Sequence, residues 1–228
     1  VKTGAAATKT SPAPDVEPSR IKGAKKAQLP TFVEPMQASS GAAPSSKEWV
    51  HEIKFDGYRV QARIEVGRVR LLSRSGLDWT KKFGDGIVAA LRDLPLGTAL
   101  IDGEIVVETS SGASDFSALQ ADLSAGRTER FVYWVFDLLH LDGYDLRGAT
   151  LLERKRALEQ LVGEGADKVR LSLHFEDSGA VVLSHACRLG LEGVVSKQRD
   201  ATYRSGRVKS WIKAKCFARQ EFVVAGYT

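Results

Sequence analysis

The sequence has few cysteines and no long apolar run, and both features limit the classes of protein to which it can belong. Cys187 and Cys216 are its only cysteines, with neither the CxxC spacing of a zinc site nor a disulfide framework, so we expect reduced thiols. No run approaches the roughly 18 apolar residues of a membrane span, and the N-terminus lacks the apolar core of a signal peptide. The sequence therefore predicts a protein of the cell interior with no membrane partner.

Two glycine-rich nucleotide-binding motifs are also missing. The chain contains neither GxxxxGK[ST] nor a GxGxxG that follows a strand pattern. Any nucleotide is therefore expected to be held by side chains on strands rather than by the N-terminus of a helix. This expectation directs attention to polar residues inside apolar strand patterns.

The first 29 residues differ in composition from the rest of the chain. They are rich in Ala, Pro, Ser, Thr and Lys, and they carry six Lys or Arg against two acidic residues, which accounts for most of the net charge of +5. Few of them are large and apolar, so burial offsets little of the entropy cost of ordering. We expect a flexible linker over 1–29 and a monomeric folded domain over 30–228, cut from a longer polypeptide with partner domains on both sides.

From residue 30 onward, short strand patterns dominate, with four helices between them. Phe116, Leu119 and Leu123 follow helical spacing, and Thr150 with Glu153 forms a capping box before a helix that Gly163 ends. Two further helices are predicted over about 178–189 and before Pro95. The strand patterns are "WVHEIKF", "YRVQARIEV", "RVRLLS", "TALIDGEIVVE", "FVYWVFDLL", "KVRLSLHF", "EGVVSK", "SWIKAK" and "EFVVAGY". Tight turns between strands predict antiparallel sheets flanked by helices, an α+β fold.

Polar residues recur inside these strand patterns. Lys213 and Lys215 alternate, which places both amines on one face of a strand, and two neighbouring cations favour an anion such as phosphate. Glu104 and Glu192 could hold Mg²⁺ together with substrate phosphates. The clusters are "KFDGYR" from Lys54, "SRSG" around Arg74, "DGEIVV" from Asp102, "FDLL" from Phe136, "EGVVSK" from Glu192 and "WIKAK" from Trp211.

Each cluster taken alone also has an ordinary structural interpretation. Lys54 could point to solvent from a strand, and Glu104 or Glu192 could form a cross-strand salt bridge. The basic residues over 197–219 could form a solvated face, and Phe136 could be a core residue. Asp102 and Asp137 could be structural. The order and joint occurrence of the clusters argue against these interpretations.

In this order the six clusters resemble the motif series of the covalent nucleotidyltransferases, a superfamily of ATP-dependent DNA ligases, RNA ligases and mRNA capping enzymes. The resemblance covers about residues 30–226. Within the superfamily the chain is most similar to the ligase module of the multidomain bacterial DNA ligase of non-homologous end joining. "LPTFVEPMQAS", "SDFSALQ", "FDLLHLDGYDLRGATLLERKRALEQL" and "EGVVSKQRDATYRSGRVKSWIKAK" carry this similarity. Such ligases continue into an oligonucleotide-binding β-barrel, which is expected to be absent here because the chain stops at Thr228.

The resemblance implies a role for each motif residue. Lys54 is implied as the nucleophile that attacks the α-phosphorus of ATP, with Lys213 and Lys215 at the α-phosphate. A lysine is almost wholly protonated at neutral pH, and partial burial, neighbouring cations and a divalent ion would favour its neutral form. The implied nucleotide-binding residues are Glu52, Ile53, Arg59, Arg74, Glu104, Phe136 (stacked on adenine) and Lys197, and the implied metal ligands are Asp56, Glu104 and Glu192.

The implied activity is the adenylation step of DNA sealing. ATP would leave a covalent lysine-AMP, with Mg²⁺ or Mn²⁺ as the ion, and AMP would pass to the 5′-phosphate of a nick in double-stranded DNA. The implied partners are flanking repair domains and a DNA end-binding repair protein in the bacterial cytosol, at the nucleoid during repair. An RNA ligase, a GTP-using capping enzyme and a non-catalytic nucleic-acid-binding module remain open as alternatives.

Overall fold

The computed structural model describes residues 16–163 and 167–216, which form twelve strands and five α-helices. The strands are β1 (Lys25–Lys26), β2 (Met36–Ser40), β3 (Trp49–Ile53), β4 (Tyr58–Glu65), β5 (Arg68–Ser73), β6 (Thr98–Val107), β7 (Phe131–Leu141), β8 (Tyr144–Asp145), β9 (Val169–Leu171), β10 (His174–Phe175), β11 (Gly193–Gln198) and β12 (Gly206–Lys215). The helices are α1 (Thr80–Phe83), α2 (Asp85–Arg92), α3 (Phe116–Ser124), α4 (Leu151–Val162) and α5 (Gly179–Arg188). None of these helices is long and apolar enough to cross a membrane.

The strands form two sheets. The large sheet has the order β1-β8-β7-β6-β4-β5, with β9 also paired to β7, and the small sheet has the order β10-β3-β11-β12-β2. All pairs are antiparallel except β7 with β9 and β12 with β2. The α+β class with antiparallel sheets and flanking helices is confirmed.

Each sheet has one face covered by helices and one face turned toward the other sheet. On the outer face of the large sheet, Phe83, Leu91, Leu119 and Leu158 from four helices pack into the main core. A second apolar cluster joins Leu100, Phe136 and Leu139 of the large sheet to Met36 and Trp211 of the small sheet. Helix α5 covers the outer face of the small sheet, where Val182 and Ala186 meet Val194 and Ala214. The second cluster therefore fixes the spacing of the two facing sheets.

The predicted helices are present with the expected ends. Thr150 caps α4 by accepting a hydrogen bond from the Glu153 N–H, and Gly163 follows its last turn with a φ of 61°. The buried positions of α4 are Leu151, Arg154, Lys155, Ala157, Leu158, Leu161 and Val162, which form one helical face. Two charged residues lie on that face, and their partners belong to the site described below.

Two predictions of local structure differ from the structure. "KVRLSLHF" is not one strand: β9 joins the large sheet and β10 the small sheet, so the chain crosses between the sheets at Ser172 and Leu173. Residues 16–29, taken as part of a flexible linker, pack on the domain instead. Their few apolar side chains, including Val16 and Ile21, contact the main core, and β1 pairs with β8. Residues 1–15 and the predicted strand "EFVVAGY" lie outside the described residues.

The two cysteines form a disulfide, so the prediction of two reduced thiols is wrong. Cys187 lies near the end of α5 and Cys216 directly follows β12, and their sulfur atoms are bonded. The residues are 29 positions apart in sequence, but the packing of α5 on the small sheet brings their Cα atoms to 5.3 Å. Sequence spacing alone gave no sign of this proximity.

Candidate active site

A cavity of about 320 Å³ opens between the two sheets, beside the second apolar cluster. Its walls come from both sheets, and nine of the residues singled out in the sequence line it. These are Glu52, Ile53, Lys54, Arg59, Arg74, Glu104, Phe136, Lys197 and Lys213. The structure therefore brings together residues that lie up to 161 positions apart in the chain.

The small sheet arranges its cavity residues in cross-strand rows. Strand pairing sets Glu52, Val195 and Lys213 side by side in one row. The next row on the same face, two residues along each strand, holds Val50, Lys197 and Trp211. Because side chains alternate between the faces of a strand, these two rows share one face. A third row on the same face pairs Lys215 with Gly193. Lys213 and Lys215 therefore share one face, as the sequence predicts.

Lys54 follows β3 and lies at the end of that third row. Its N–H donates to the Gly193 carbonyl at 2.9 Å, which ties the backbone of the lysine to β11. Gly193 has a φ of +148°, and a Cβ there would lie 2.2 Å from the Ala214 carbonyl oxygen. Only glycine fits this position, so the close approach of β11 and β12 beside Lys54 depends on it.

Lys54 and Lys215 share one carboxylate. Lys54 Nζ donates to Glu192 Oε2, and Lys215 Nζ lies 2.8 Å from Glu192 Oε1. The hydrogen bond to Glu192 raises the pKa of Lys215. Lys215 and Glu192 therefore flank Lys54 at the edge of the cavity, whereas Lys213 lines the cavity itself.

Phe136 reaches the cavity because β7 bulges at this residue. Asp137 pairs with Asp102 and Val135 with Gly103, which leaves Phe136 without an opposite residue on β6. A bulge of this kind re-aims a side chain, and here it turns the ring toward the small sheet. Phe136 meets Trp211 edge to face at 6.2 Å between ring centres, and it forms an apolar wall of the cavity.

Arg59 forms part of the same wall, and each of its three guanidinium nitrogens donates one hydrogen bond to the protein. Nε and Nη2 donate to the two oxygens of Asp102 at 3.1 and 2.7 Å, and Nη1 donates to the Met36 carbonyl at 2.6 Å. Tyr203 donates to the same Asp102 carboxylate at 2.8 Å. The guanidinium carbon lies 5.2 Å from the centre of the Phe136 ring. Asp102 therefore holds Arg59 in place, and Asp137 does the same for Arg154 with bonds of 2.7 and 3.0 Å.

Glu52 lies between two lysines at the inner end of the cavity. Lys197 Nζ is 2.9 Å from Oε2 and Lys155 Nζ is 2.9 Å from Oε1, and all three side chains are buried. Burial lowers the pKa of Lys197 to about 8, despite the nearby Glu52 carboxylate. Lys197 Nζ also lies 4.5 Å from the centre of the Phe136 ring and 4.2 Å from that of Trp211.

Of the three carboxylates predicted as metal ligands, Glu192 acts electrostatically on both of the others. Burial raises the pKa of Glu104 to about 7, and the charges of Asp102 and Glu192 add to the effect. Burial, followed by the charge of Glu192, also raises the pKa of Asp56. Within the described residues, however, no group of three or more His, Cys, Asp or Glu is arranged to hold a metal ion. A cation here would need oxygen ligands from water or a substrate as well.

Comparison with known proteins identifies the family. The model for the ATP-dependent DNA ligase domain matches residues 30–215. The chain belongs to the ATP-dependent DNA ligase family.

Relatives and solved structures agree with this assignment. The chain is 43% identical to the multifunctional non-homologous end joining protein LigD of Pseudomonas aeruginosa, covering 94% of this chain and 26% of that protein. It is 37% identical to the LigD repair protein of Mycobacterium tuberculosis, over 91% of this chain and 27% of that one. The chain thus spans about a quarter of the length of these relatives.

A mycobacterial DNA ligase D complexed with ATP and MES superimposes with a TM-score of 0.70 at 36% identity, covering 79% of this chain and 59% of that one. The Chlorella virus DNA ligase-adenylate has a TM-score of 0.59 at 18% identity, over 81% of this chain and 69% of that one, and shows the shared fold. The nucleotidyltransferase fold of the ATP-dependent DNA ligases is therefore confirmed for this ligase domain.

Several cavity residues of the ligase domain were not singled out in the sequence. Gln37 accepts a hydrogen bond from Arg74 Nη2 at 2.9 Å, and Arg207 and Trp211 also line the cavity. Lys155 lies behind Glu52, outside the lining. Trp211 begins the "WIKAK" cluster but was given no role. Lys155 left a signal of its own: with Arg154, it places charge on the apolar face of a helix, where a buried partner is required.

Proposed function

We propose that Lys54 of this ligase domain attacks the α-phosphorus of ATP and forms a covalent lysine-AMP. The observation that carries this proposal is the position of the Lys54 amine. It lines the cavity and is hydrogen-bonded to Glu192. Lys213 lies in the neighbouring row on the same face of the sheet. A nucleophilic amine beside a carboxylate and a further cation suits attack on a phosphate that carries negative charge.

The proposed step balances as a displacement at phosphorus. A bond forms between Lys54 Nζ and the α-phosphorus, and the bond from the α-phosphorus to the bridging oxygen of the β-phosphate breaks. Pyrophosphate leaves with the electrons of that bond. The Lys54 ammonium must lose one proton before or during attack, and Glu192 Oε2 is the acceptor already hydrogen-bonded to it. The attacking nitrogen releases a second proton to water as the phosphoramidate forms. Lys213 and Lys215 would stabilise the charge on the departing group.

The residues at this edge of the cavity also fit a divalent ion. The negative charge of Glu192 repels the carboxylates of Glu104 and Asp56. A bound cation would relieve this repulsion. Mg²⁺ is commonly held by one or two carboxylates together with substrate phosphates and water, rather than by a complete set of protein ligands. Two carboxylates at this edge are therefore enough protein ligands for such an ion. Such an ion, Mg²⁺ or Mn²⁺, would neutralise phosphate charge.

For the nucleoside, Phe136 offers an apolar ring at the cavity wall, and Glu52 with Ile53 forms the inner end. Arg74 lies toward the opening with Gln37. The proposed arrangement places adenine on Phe136 and the phosphates toward Lys54. Arg59 is held in place at this wall by Asp102 and the Met36 carbonyl, which accept three of its five N–H donors.

We extend the proposal to the biological reaction from the relatives. AMP would pass from Lys54 to the 5′-phosphate of a nick in double-stranded DNA, and the adjacent 3′-hydroxyl would displace it. Similarity to proteins named for non-homologous end joining supports a role in bacterial double-strand break repair, with flanking domains and a DNA end-binding protein as partners. The place of action would then be the bacterial cytosol, at the nucleoid.

The test is the intact mass of the chain before and after ATP with Mg²⁺, alongside Lys54→Ala. The expected result is a gain of one AMP that pyrophosphate reverses and that the variant lacks. GTP in place of ATP separates a ligase from a capping enzyme, and nicked DNA against nicked RNA separates the two ligase classes. DNA binding that survives Lys54→Ala without any adduct would instead support a non-catalytic nucleic-acid-binding module.

A further inference from the structure

Lys155 occupies an unusual place for a lysine. It lies on the buried face of α4 with 4% of its side chain exposed, and its Nζ donates to the Ser172 carbonyl at 2.8 Å. It does not line the nucleotide cavity. Lysine is rarely buried this fully unless it pairs with an opposite charge, and the charge here is Glu52.

Glu52 depends on Lys155 for the balance of its charge. Ser172 donates to Oε2 at 3.1 Å, and Lys197 lies 2.9 Å from the same oxygen. Oε1 is buried, and its close contact among the described residues is the Lys155 ammonium at 2.9 Å. Burial acts to raise the pKa of Glu52, but Lys155 and Lys197 hold it below its usual value. Without Lys155, Lys197 alone would compensate the carboxylate.

Lys197 links this pair to the wall of the cavity. Its amine lies between the Glu52 carboxylate and the rings of Phe136 and Trp211. The position of that amine is therefore set on one side by Glu52 and on the other by two aromatic faces. Helix α4 acts on the cavity through one chain of contacts, from Lys155 to Glu52 to Lys197 to Phe136.

We propose that Lys155 is a positioning residue that fixes the Glu52 carboxylate, and through it the Lys197 amine, against the wall that receives the nucleotide base. This inference rests on the proposed function, because it assigns the base end of the cavity to Phe136 and Glu52. Lys54 and Glu192 lie in a different row of the small sheet from Lys197. Loss of Lys155 therefore weakens nucleotide binding and leaves the rate of the chemical step nearly unchanged.

The test measures the dissociation constant of ATP by calorimetry and the rate of adduct formation at saturating ATP by intact mass, on the full chain. For Lys155→Met we expect the dissociation constant to rise about tenfold, the size of an ordinary coupling between groups in contact, with the saturating rate changed less than about twofold. Lys155→Arg keeps the charge and recovers most of the affinity. Asp122→Asn is the control, because it removes the charge of another buried carboxylate, whose partners Arg127 and Arg130 are exposed and do not line the cavity.

A double variant shows whether Lys155 acts through Glu52. In a Glu52→Gln background the carboxylate charge is gone, so adding Lys155→Met should raise the dissociation constant much less than it does in the wild-type chain. Equal effects in both backgrounds, or a loss of affinity in Asp122→Asn as large as in Lys155→Met, would overturn the proposal.

The two proposals fail in different ways. If the wild-type chain forms no adduct but binds ATP, the proposed catalysis fails, while the ATP titrations still decide the role of Lys155. If Lys155→Met folds and its ATP affinity is unchanged, the positioning role of Lys155 is refuted, while the proposed catalysis is unaffected. If the wild-type chain does not bind ATP, both proposals fall.

Discussion

Arg59 and Asp102 form a two-bond ion pair in the wall of the cavity, with distances of 3.1 Å from Nε and 2.7 Å from Nη2. Asp102 is fully buried and also accepts from Tyr203. The pair therefore joins β4 and β6 of the large sheet to Tyr203, which packs with the small sheet. The rigidity of this wall of the cavity depends on the contact.

Asp102→Asn should destabilise the fold by about 3 kcal/mol, because it leaves the largely buried Arg59 guanidinium without its countercharge. Denaturant unfolding at neutral pH measures the loss. Asp145→Asn is the control. The Asp145 side chain is 25% exposed and that of its partner Arg147 is 40% exposed, so this ion pair should contribute about 1 kcal/mol or less. Equal losses in the two variants would contradict the importance of burial at Asp102.

Glu192→Gln should slow adduct formation at least about hundredfold, because it removes the charge that pairs with both Lys54 and Lys215 and the acceptor for the Lys54 proton. ATP affinity measured without a divalent ion should change much less, since Glu192 does not line the cavity. Time courses of the AMP adduct by mass spectrometry measure the rate. Glu48→Gln, an exposed change outside the cavity, should retain wild-type rates. A fast Glu192→Gln variant would remove Glu192 from the chemical step.

Lys197 makes stability depend on pH in a defined direction. Its pKa is lowered to about 8 in the folded chain by burial, so above that value the folded state releases a proton that the unfolded chain, with a pKa of 10.5, still holds. The unfolded state then binds more protons, and the stability from this group rises as pH increases from about 8 toward 10.5. Between pH 7 and 9.5, wild type should gain about 2 kcal/mol relative to Lys197→Met.

Unfolding curves of both chains across that range test the prediction. The neighbouring charges that share the effect are Glu52, Lys155 and Asp137. Lys209→Met, a change at an exposed position of the neighbouring strand β12, should show no such pH-dependent difference from wild type. If wild type instead became more stable relative to Lys197→Met as pH fell, the lowered pKa of Lys197 would be refuted.

The Cys187–Cys216 bond should stabilise the oxidised chain. Closing a loop with a sequence separation of 29 restricts the unfolded state by about 3.5 kcal/mol in the chain-entropy model. Reduced wild type and the Cys187→Ser/Cys216→Ser double variant should both unfold at lower denaturant than the oxidised chain, and by the same amount. Alkylation of the non-reduced chain under denaturing conditions should leave both cysteines unmodified. Two alkylated thiols would mean that the bond does not form.

The sequence by itself determined the order of the motifs, the α+β class and most helices and strands. These features follow from local periodicity: the alternation of Lys213 and Lys215 fixes their common face, and the spacing of Leu151, Leu158 and Leu161 fixes the buried side of α4. Among the nine predicted residues that line the cavity, charges inside apolar strand patterns, such as Glu104 and Lys213, are visible without knowledge of their partners, whereas Glu52, Ile53 and Phe136 came from the resemblance to a known family.

Only the tertiary structure decided which distant residues meet. The Cys187–Cys216 bond, the separation of β9 from β10, the packing of residues 16–29 and the pairing of Lys155 with Glu52 all join segments that no local pattern relates. Residues 16–29 were predicted to be a linker because they contain few apolar residues. Composition does not show whether those few residues are packed, and here they contact the main core. Lys155 carried the sign of a buried charge, but the identity of its partner depends on how α4 packs beside β3, and that packing is a property of the whole fold.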